Sequence, residues 1–130
     1  MTPERLVHHE LCFGCGRTNL FGLLIEVERT GEGQVRGRGF VKQDHQGPIA
    51  GTAHPGIVAA ALSEAMAFAA GEEMEASAFE VRLDAPVPVG TFLEVEARLS
   101  GTAGAEEEAS ATGSVSGQTV ATARGAYRLR

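Results

Sequence analysis

Apolar and polar residues alternate along most of the chain, which predicts β-strands on both sides of one alanine-rich segment. Two strands are predicted before that segment, over 20–29 and 34–41, and the turn TGEG joins them as an antiparallel hairpin. Four more strand-like segments follow it, over 78–89, 91–100, 106–116 and 118–130, with breaks that contain glycine between them. The predicted order is therefore two strands, one helix and four strands.

The alanine-rich segment from Pro55 to about Ala70 is predicted to form a single helix. Pro55 has the fixed φ that suits a first helical turn, and Gly71 is a natural stop. Because almost every position of this helix is apolar, we expect it to be buried. One helix cannot cover both faces of six strands, so the pattern predicts an α+β fold in which a curved antiparallel sheet wraps around one long central helix.

The strand predicted over 91–100 has an apolar face and a polar face that is expected to meet solvent. Phe92, Val95 and Leu99 are interrupted by Glu94, Glu96 and Arg98, and we expect the charged residues to face solvent. The segment over 42–53, before the helix, is rich in Gly, Gln, Asp and Pro and is predicted to be an ordered loop.

Length and composition predict one domain that covers residues 1–130. The 130 residues are 43% hydrophobic and carry a formal charge of −6, with a pI near 5.2. No apolar run approaches the roughly 20 residues that span a bilayer, and the first residues lack a secretory signal, so we expect a cytoplasmic protein without a membrane partner. The acidic balance and the lack of basic runs argue against a nucleic-acid partner.

The two cysteines, Cys12 and Cys15, form a lone C-x-x-C pair. Such a pair without a second one is a weak zinc signal, although His8 and His9 lie close enough to complete a site. A structural turn is the favoured interpretation, and a metal site or a redox pair stays open. Accordingly, the sequence gives no metal ligands that we would assign.

Four segments resemble the hotdog-fold acyl-CoA thioesterases, in the branch that includes the phenylacetate-pathway type. They are CFGCGRTNLFGL (12–23), DHQG (44–47), GTAHPGIVAAALSEAMAFAA (51–70) and VRLDAPVPVG (81–90). The likeness runs from about Leu11 to Arg128. It implies a hotdog fold, a homodimer or homotetramer with a continuous sheet across paired subunits, active sites at the dimer interface, an acyl-CoA thioester substrate and no cofactor.

The resemblance also implies roles for residues at the start of the helix. The family's motif is His-Gly-Gly with an acidic residue further along: a glycine amide polarises the thioester carbonyl, and the acid activates water or attacks. Here His54 takes the place of the family's His, Pro55 replaces the first Gly, and Ser63 stands at the acidic position. Proline has no N–H and serine has no carboxylate, so both parts are altered. Gly56 and Glu64, which are eight residues apart, keep the spacing of the catalytic pair.

Glu64 is the carboxylate that we expect to act as base or nucleophile. No Lys or Arg lies between Gln43 and Val81, and the neighbours of Glu64 are alanines, so we expect desolvation to raise its pKa. The alternative is a structural carboxylate that accepts main-chain hydrogen bonds. His45 and Gln46, in the loop that faces the thioester in relatives, are expected to orient water.

Further residues are candidates for substrate binding: His54, Pro55, Ser63 and Arg82. Arg82, together with Arg124 and Arg128, could meet coenzyme A phosphates, although solvated sheet charges are the simpler interpretation. The functional hypothesis is hydrolysis of an acyl-CoA thioester. The alternative is a hotdog protein that binds acyl-CoA or another small ligand without hydrolysis, which the changes at Pro55 and Ser63 favour. A hydratase is less favoured because no His and Asp pair can be assigned.

Overall fold

The protein consists of one helix and one antiparallel sheet, as seen in a computed structural model that describes residues 4–130 except the side chain of Ala103. The strands are β1 (Arg5–Leu6), β2 (Glu26–Gly31), β3 (Gln34–Phe40), β4 (Met74–Leu83), β5 (Phe92–Ala103), β6 (Glu106–Val115) and β7 (Gln118–Leu129). The helix α1 (Pro55–Ala70) lies between β3 and β4, and a short 3-10 turn covers Gln43–His45. The strand order across the sheet is β1-β2-β3-β5-β6-β7-β4.

This architecture confirms the predicted α+β hotdog fold, with a sheet that wraps one face of one central helix. Helix α1 contacts β3, β4, β5, β6 and β7. Its residues Leu62, Ala65 and Met66 are completely buried, and no position after Gly56 is exposed. An apolar helix gains stability when its surface is removed from water. The alanine-rich composition of α1 therefore explains its central position. The longest helix among the described residues is too short to cross a bilayer.

Several strand boundaries differ from the sequence prediction. The two-residue strand β1 was not predicted. Strand β2 begins at Glu26 rather than near Leu20, because the N–H groups of Leu23 and Ile25 donate to Phe13 and Gly14. Strand β4 begins at Met74 and ends at Leu83, before a segment with two prolines that cannot donate to a sheet ladder.

The buried face of β5 is also different from the predicted one. Leu93, Val95 and Ala97 face the core, whereas Phe92 and Leu99 are partly exposed. Because side chains alternate between faces with a period of two, Val95 and Phe92 cannot share a face. Phe92 therefore lies on the outer face, where its ring meets Phe40 edge to face.

Truncating the helix core should destabilise the protein. Leu62→Ala removes a fully buried side chain, and we expect it to lower the free energy of unfolding by about 2–5 kcal/mol, as is usual for such cavities. Leu129→Ala, at a position that is 68% exposed, is the control and should change it by less than about 1 kcal/mol. Urea unfolding of both variants measures this. Equal losses would contradict the assignment of the core.

Candidate functional site

Glu64 lies at the centre of a cluster of side chains that includes His8, Cys12 and Cys15. Its Oε2 is 2.7 Å from His8 Nδ1 and 3.4 Å from Cys12 Sγ. Cys15 Sγ is 3.5 Å from the same His8 nitrogen, and Cys12 Sγ is 3.9 Å from it. The carboxylate oxygens are thus held by side chains of the N-terminal segment.

Helix α1 and the N-terminal segment position this cluster together. Glu64 and Phe68 are four residues apart, so they share one face of the helix. The His8 ring stacks on the Phe68 ring, with a centroid distance of 3.8 Å and an angle of 5°, which orients Nδ1 toward the carboxylate. Stacking on Phe68 and the hydrogen bond to Glu64 therefore fix the same imidazole from two directions.

A tight turn over 12–16 carries the two cysteines. The N–H of Gly16 donates to the carbonyl of Cys12 at 2.8 Å, and the N–H of His8 donates to Cys15 Sγ at 3.2 Å. Gly14 packs directly against Glu64, because a Cβ added there would overlap the carboxyl group. Glycine is therefore the residue that lets the turn close over the carboxylate.

The pKa of Glu64 is lowered, so the predicted rise was wrong. Burial alone raises the pKa, but the hydrogen bonds from His8 and the cysteines and the charge of His8 lower it further than burial raises it. The sequence shows only the neighbours of Glu64 along the chain, and no Lys or Arg is among them. His8, which is 56 residues away, supplies the missing partner.

Two further groups near Glu64 are kept protonated. Burial, with help from the nearby Glu64 carboxylate, raises the pKa of the Cys15 thiol. The same two causes raise the pKa of Tyr127 to about 12. The Tyr127 hydroxyl is buried without a hydrogen-bond partner among the described residues. Burial and the negative charge of Glu64 thus hold the Cys15 thiol and the Tyr127 hydroxyl in their neutral forms.

Gly56 has the one amide in the first turn of α1 that does not donate to main chain. Pro55 has no N–H, and the N–H groups of Ile57 and Val58 donate to the carbonyl of His54. Gly56 N–H donates to Nδ1 of the His54 side chain at 2.8 Å, so this imidazole caps the helix. A substrate carbonyl could reach the Gly56 amide only after the His54 ring moves.

His45 and Gln46 lie in the loop before α1 and do not contact Glu64. His45 is 4% exposed, and its Nδ1 accepts the N–H of Lys42. Burial is the main cause of the lowered pKa of its imidazole. The Gln46 amide closes its own loop, since its Oε1 accepts Gly51 N–H at 2.6 Å and its Nε2 donates to the Gln43 carbonyl.

A small apolar cleft lies between the helix start and the sheet, and His45 forms part of its lining. Its other walls include Leu23, Ile25, Phe40, Ile57 and Leu93. Ile57, in the first helical turn, and the titratable side chain of His45 thus line the same cleft.

The remaining predicted substrate residues are dispersed. Ser63 is half-buried on α1. Arg82 lies on the outer face of the sheet, in a groove with Glu80 and Arg124. Arg124 pairs with Glu80 and Arg128 pairs with Glu75, both at 3.4 Å between exposed side chains. These arginines are remote from the helix start in this chain.

Sequence reasoning missed the partnership of Glu64 with the cysteine turn. It had considered His8 and His9 as companions of the two cysteines, and His8 does join them. His9 is exposed, and its Nδ1 accepts the N–H of Leu11 instead. The spacing His-x3-Cys-x2-Cys was a usable signal, but nothing in it pointed to a glutamate on the helix.

No family model matches the chain, and no curated protein matches it. Several solved structures do match the chain. Protein RHA08564, a thioesterase superfamily protein, is 21% identical with a TM-score of 0.84, and the match covers 92% of this chain but only 60% of that one. The E. coli PaaI protein from the phenylacetic acid degradation operon is 21% identical, with a TM-score of 0.76 and coverage of 83% and 80%.

A third structure, the TT0310 protein from Thermus thermophilus, is 25% identical with a TM-score of 0.73, and the match covers 81% of this chain and 92% of that one. The chain spans about three fifths of the length of the thioesterase superfamily protein RHA08564. These likenesses establish that the chain has the fold of the thioesterase superfamily proteins.

The contact between Gly14 and Glu64 can be tested by substitution. Gly14→Ala places a methyl group where the carboxyl group lies, and we expect a loss of about 1–3 kcal/mol in the free energy of unfolding. Gly39→Ala is the matched control, because its added Cβ would have ordinary contacts at 3.6 Å. In the Glu64→Ala background, Gly14→Ala should lower the free energy of unfolding by less than it does in the wild type. An unchanged cost in that background would refute direct packing of the two residues.

Burial of His45 should make the protein less stable in acid. Its folded-state pKa lies below the ordinary 6.5, so the unfolded chain binds a proton first as the pH falls. The stability from neutral His45 is complete above pH 6.5 and is lost progressively below it. We expect the difference in unfolding free energy between the wild type and His45→Asn to shrink from pH 8 to pH 5, as measured by urea unfolding. A difference independent of pH would contradict burial of a neutral imidazole.

Proposed function

We propose that the protein hydrolyses an acyl-CoA thioester at a site shared between two copies of the chain. The observation that carries this proposal is the arrangement on α1, with an exposed first turn at one end and an ionised carboxylate two turns further on, in the fold of the thioesterase superfamily proteins. A helix N-terminus favours developing negative charge, and a carboxylate can accept a proton from water.

The spacing along the helix supports a site made from two chains. Gly56 and Glu64 are eight residues apart, which corresponds to about 12 Å along a helix axis. A single thioester carbonyl cannot be within hydrogen-bond reach of the first and be attacked by water held at the second. We therefore propose that Gly56 of one protomer works with Glu64 of its partner.

The edge of the sheet supports the same pairing. Strand β4 has ten residues, lies at one edge and has no neighbour on its outer side among residues 4–130. Phe79 and Leu83 on this strand are 47% and 50% exposed. Unpaired edge strands with apolar side chains favour association, and a second β4 in antiparallel orientation would extend the sheet. We propose a homodimer through β4.

The proposed reaction begins when the thioester carbonyl displaces the His54 ring from Gly56 N–H. This amide then polarises the carbonyl and stabilises the oxyanion as it forms. Glu64 removes a proton from water, the water oxygen bonds to the carbonyl carbon, and the carbon–sulfur bond breaks. The proton that Glu64 has taken from water passes to the coenzyme A thiolate as it leaves, and the Glu64 carboxylate is regenerated. His45 and Gln46, next to the helix start, bound the region where the acyl group enters.

The apolar cleft beside His45 is the proposed acyl site. Its walls from the segment before β2 and from β3, β5 and α1 are apolar, and its small size favours a short or compact acyl group. Ser63 and Arg82 are proposed as substrate contacts only in the dimer, since in one chain they are remote from this cleft.

Binding without hydrolysis is the second candidate function. The observation that favours it is the capped Gly56 amide, together with a Glu64 carboxylate already engaged by His8 and Cys12. Both groups must be released before they can act. A protein in which they stay engaged would keep the cleft and hold an acyl-CoA or another small ligand without turnover.

Removal of the carboxylate should abolish hydrolysis. We expect Glu64→Gln to lower kcat/KM for thiol release by about 10²–10⁴-fold, because a glutamine cannot accept the proton of water. Glu32→Gln, in the exposed β2–β3 turn, is the matched control and should retain the wild-type rate. Thiol release from a panel of short, aromatic and long acyl-CoA esters, measured in the presence of a chelator, gives the rates.

A mixing experiment tests the shared site. Gly56→Pro removes the amide donor, and it breaks no main-chain hydrogen bond because Gly56 N–H donates to the His54 ring, so this variant should also be inactive. When Gly56→Pro and Glu64→Gln chains are co-expressed, mixed dimers should regain activity at the one site that has both wild-type groups. If mixing restores nothing, the shared site is wrong. If no ester turns over while acyl-CoA still raises the Tm, the binding function replaces the hydrolase.

A further inference from the structure

The geometry points to His8, Cys12, Cys15 and Glu64 as the four ligands of one zinc-type divalent cation. Each residue offers one donor atom, and all four atoms lie within 4.8 Å of one another. This inference goes beyond the proposed function, because it concerns an ion site and not the thioester reaction. With the ion bound, Glu64 is a ligand, so hydrolysis by Glu64 belongs to the ion-free protein.

The distances between the donor atoms suit a tetrahedral ion. Usual zinc bond lengths place neighbouring donors of a tetrahedron about 3.3 Å apart for N and O, about 3.5 Å for S with N or O, and about 3.8 Å for two S atoms. Cys15 Sγ is 3.5 Å from His8 Nδ1, and Cys12 Sγ is 3.4 Å from Glu64 Oε2 and 3.9 Å from His8 Nδ1. Of these four distances, the 2.7 Å between His8 Nδ1 and Glu64 Oε2 is too short for two ligands of one ion, so this direct hydrogen bond must open.

The donor chemistry selects the class of ion. Two sulfurs, one imidazole nitrogen and one carboxylate oxygen form a mixed set of the kind that zinc accepts in proteins. Mg²⁺ and Ca²⁺ prefer oxygen ligands, which one carboxylate cannot supply. Binding would release the thiol protons of Cys12 and Cys15 and replace the His8–Glu64 hydrogen bond with two bonds to the metal.

The backbone around the cluster holds the donors in place. The N–H of His8 donates to Cys15 Sγ, which is a contact that remains available to a metal-bound sulfur. The His8 ring is oriented by its stack on Phe68, and Gly14 leaves room for the Glu64 carboxyl group beside the cysteine turn. A preorganised set lowers the cost of assembling a site. The ion would fasten the N-terminal segment to the middle of α1.

Metal binding by the full chain tests this inference directly. Chelator-treated, reduced protein is titrated with Zn²⁺ against a competing indicator and, separately, with Co²⁺. We expect one equivalent of Zn²⁺ per chain, a rise in Tm on binding, and a Co²⁺ spectrum with thiolate-to-metal charge transfer and tetrahedral visible bands. None of these readouts involves thioester turnover, so loss of the hydrolase proposal would leave the ion site standing.

A matched pair of histidine variants gives the control. His8→Gln removes a ligand, whereas His9→Gln changes the exposed neighbour that lies outside the cluster. We expect His8→Gln and Cys12→Ser each to weaken Zn²⁺ binding by more than about tenfold, and His9→Gln to bind as the wild type does. Circular dichroism checks that each variant is folded. If a variant unfolds, the Co²⁺ spectrum of the wild type is used instead to test whether the cysteines bind the metal.

The inference is overturned by any of three results. Zn²⁺ binding well below one equivalent would identify an adventitious ion only. A Co²⁺ spectrum without thiolate charge transfer would remove the cysteines from the site. Equal affinities for the His8→Gln, Cys12→Ser and His9→Gln variants would remove the cluster as the binding site.

Discussion

The contact between the Glu64 carboxylate and the His8 imidazole connects helix α1 to the N-terminal segment. It links the middle of a buried helix to a segment 56 residues earlier in the chain. A carboxylate that is only 11% exposed would be costly without a partner, and the imidazole, with the Cys12 thiol, provides one. The turn over 12–16 packs against the Glu64 carboxylate, and the stacking of His8 on Phe68 holds the imidazole beside it.

The same contact decides what Glu64 can do. As an ionised carboxylate it can accept a proton, and in contact with two thiols and an imidazole it can bind a metal ion, but one oxygen pair cannot do both at once. The proposed hydrolase and the proposed ion site are therefore two states of one cluster. Which state is populated depends on the supply of the ion and on whether His8 releases the carboxylate.

The fold could be predicted from the sequence because its signals are local. Pro55 and Gly71 mark the helix, and the hairpin of β2 and β3 follows from alternation and a glycine turn. The parity of β5 was misassigned because Phe92 is apolar but lies one position off the Leu93, Val95 and Ala97 series. The partners of Glu64 could not be predicted, since no periodicity connects His8 with a residue on the helix. Its pKa was consequently predicted in the wrong direction.

The single amide donor in the first turn of α1 has a consequence for the choice of leaving group. Pro55 contributes none, and Ile57 and Val58 are committed to the His54 carbonyl, so an oxyanion at this helix would be stabilised by Gly56 N–H alone. One donor contributes less than the pair found in many acyl-transfer sites. For the proposed hydrolase, a single donor would favour activated acyl groups, whose carbon–sulfur bond breaks readily, over amides and simple esters, without any contact that reads the acyl chain.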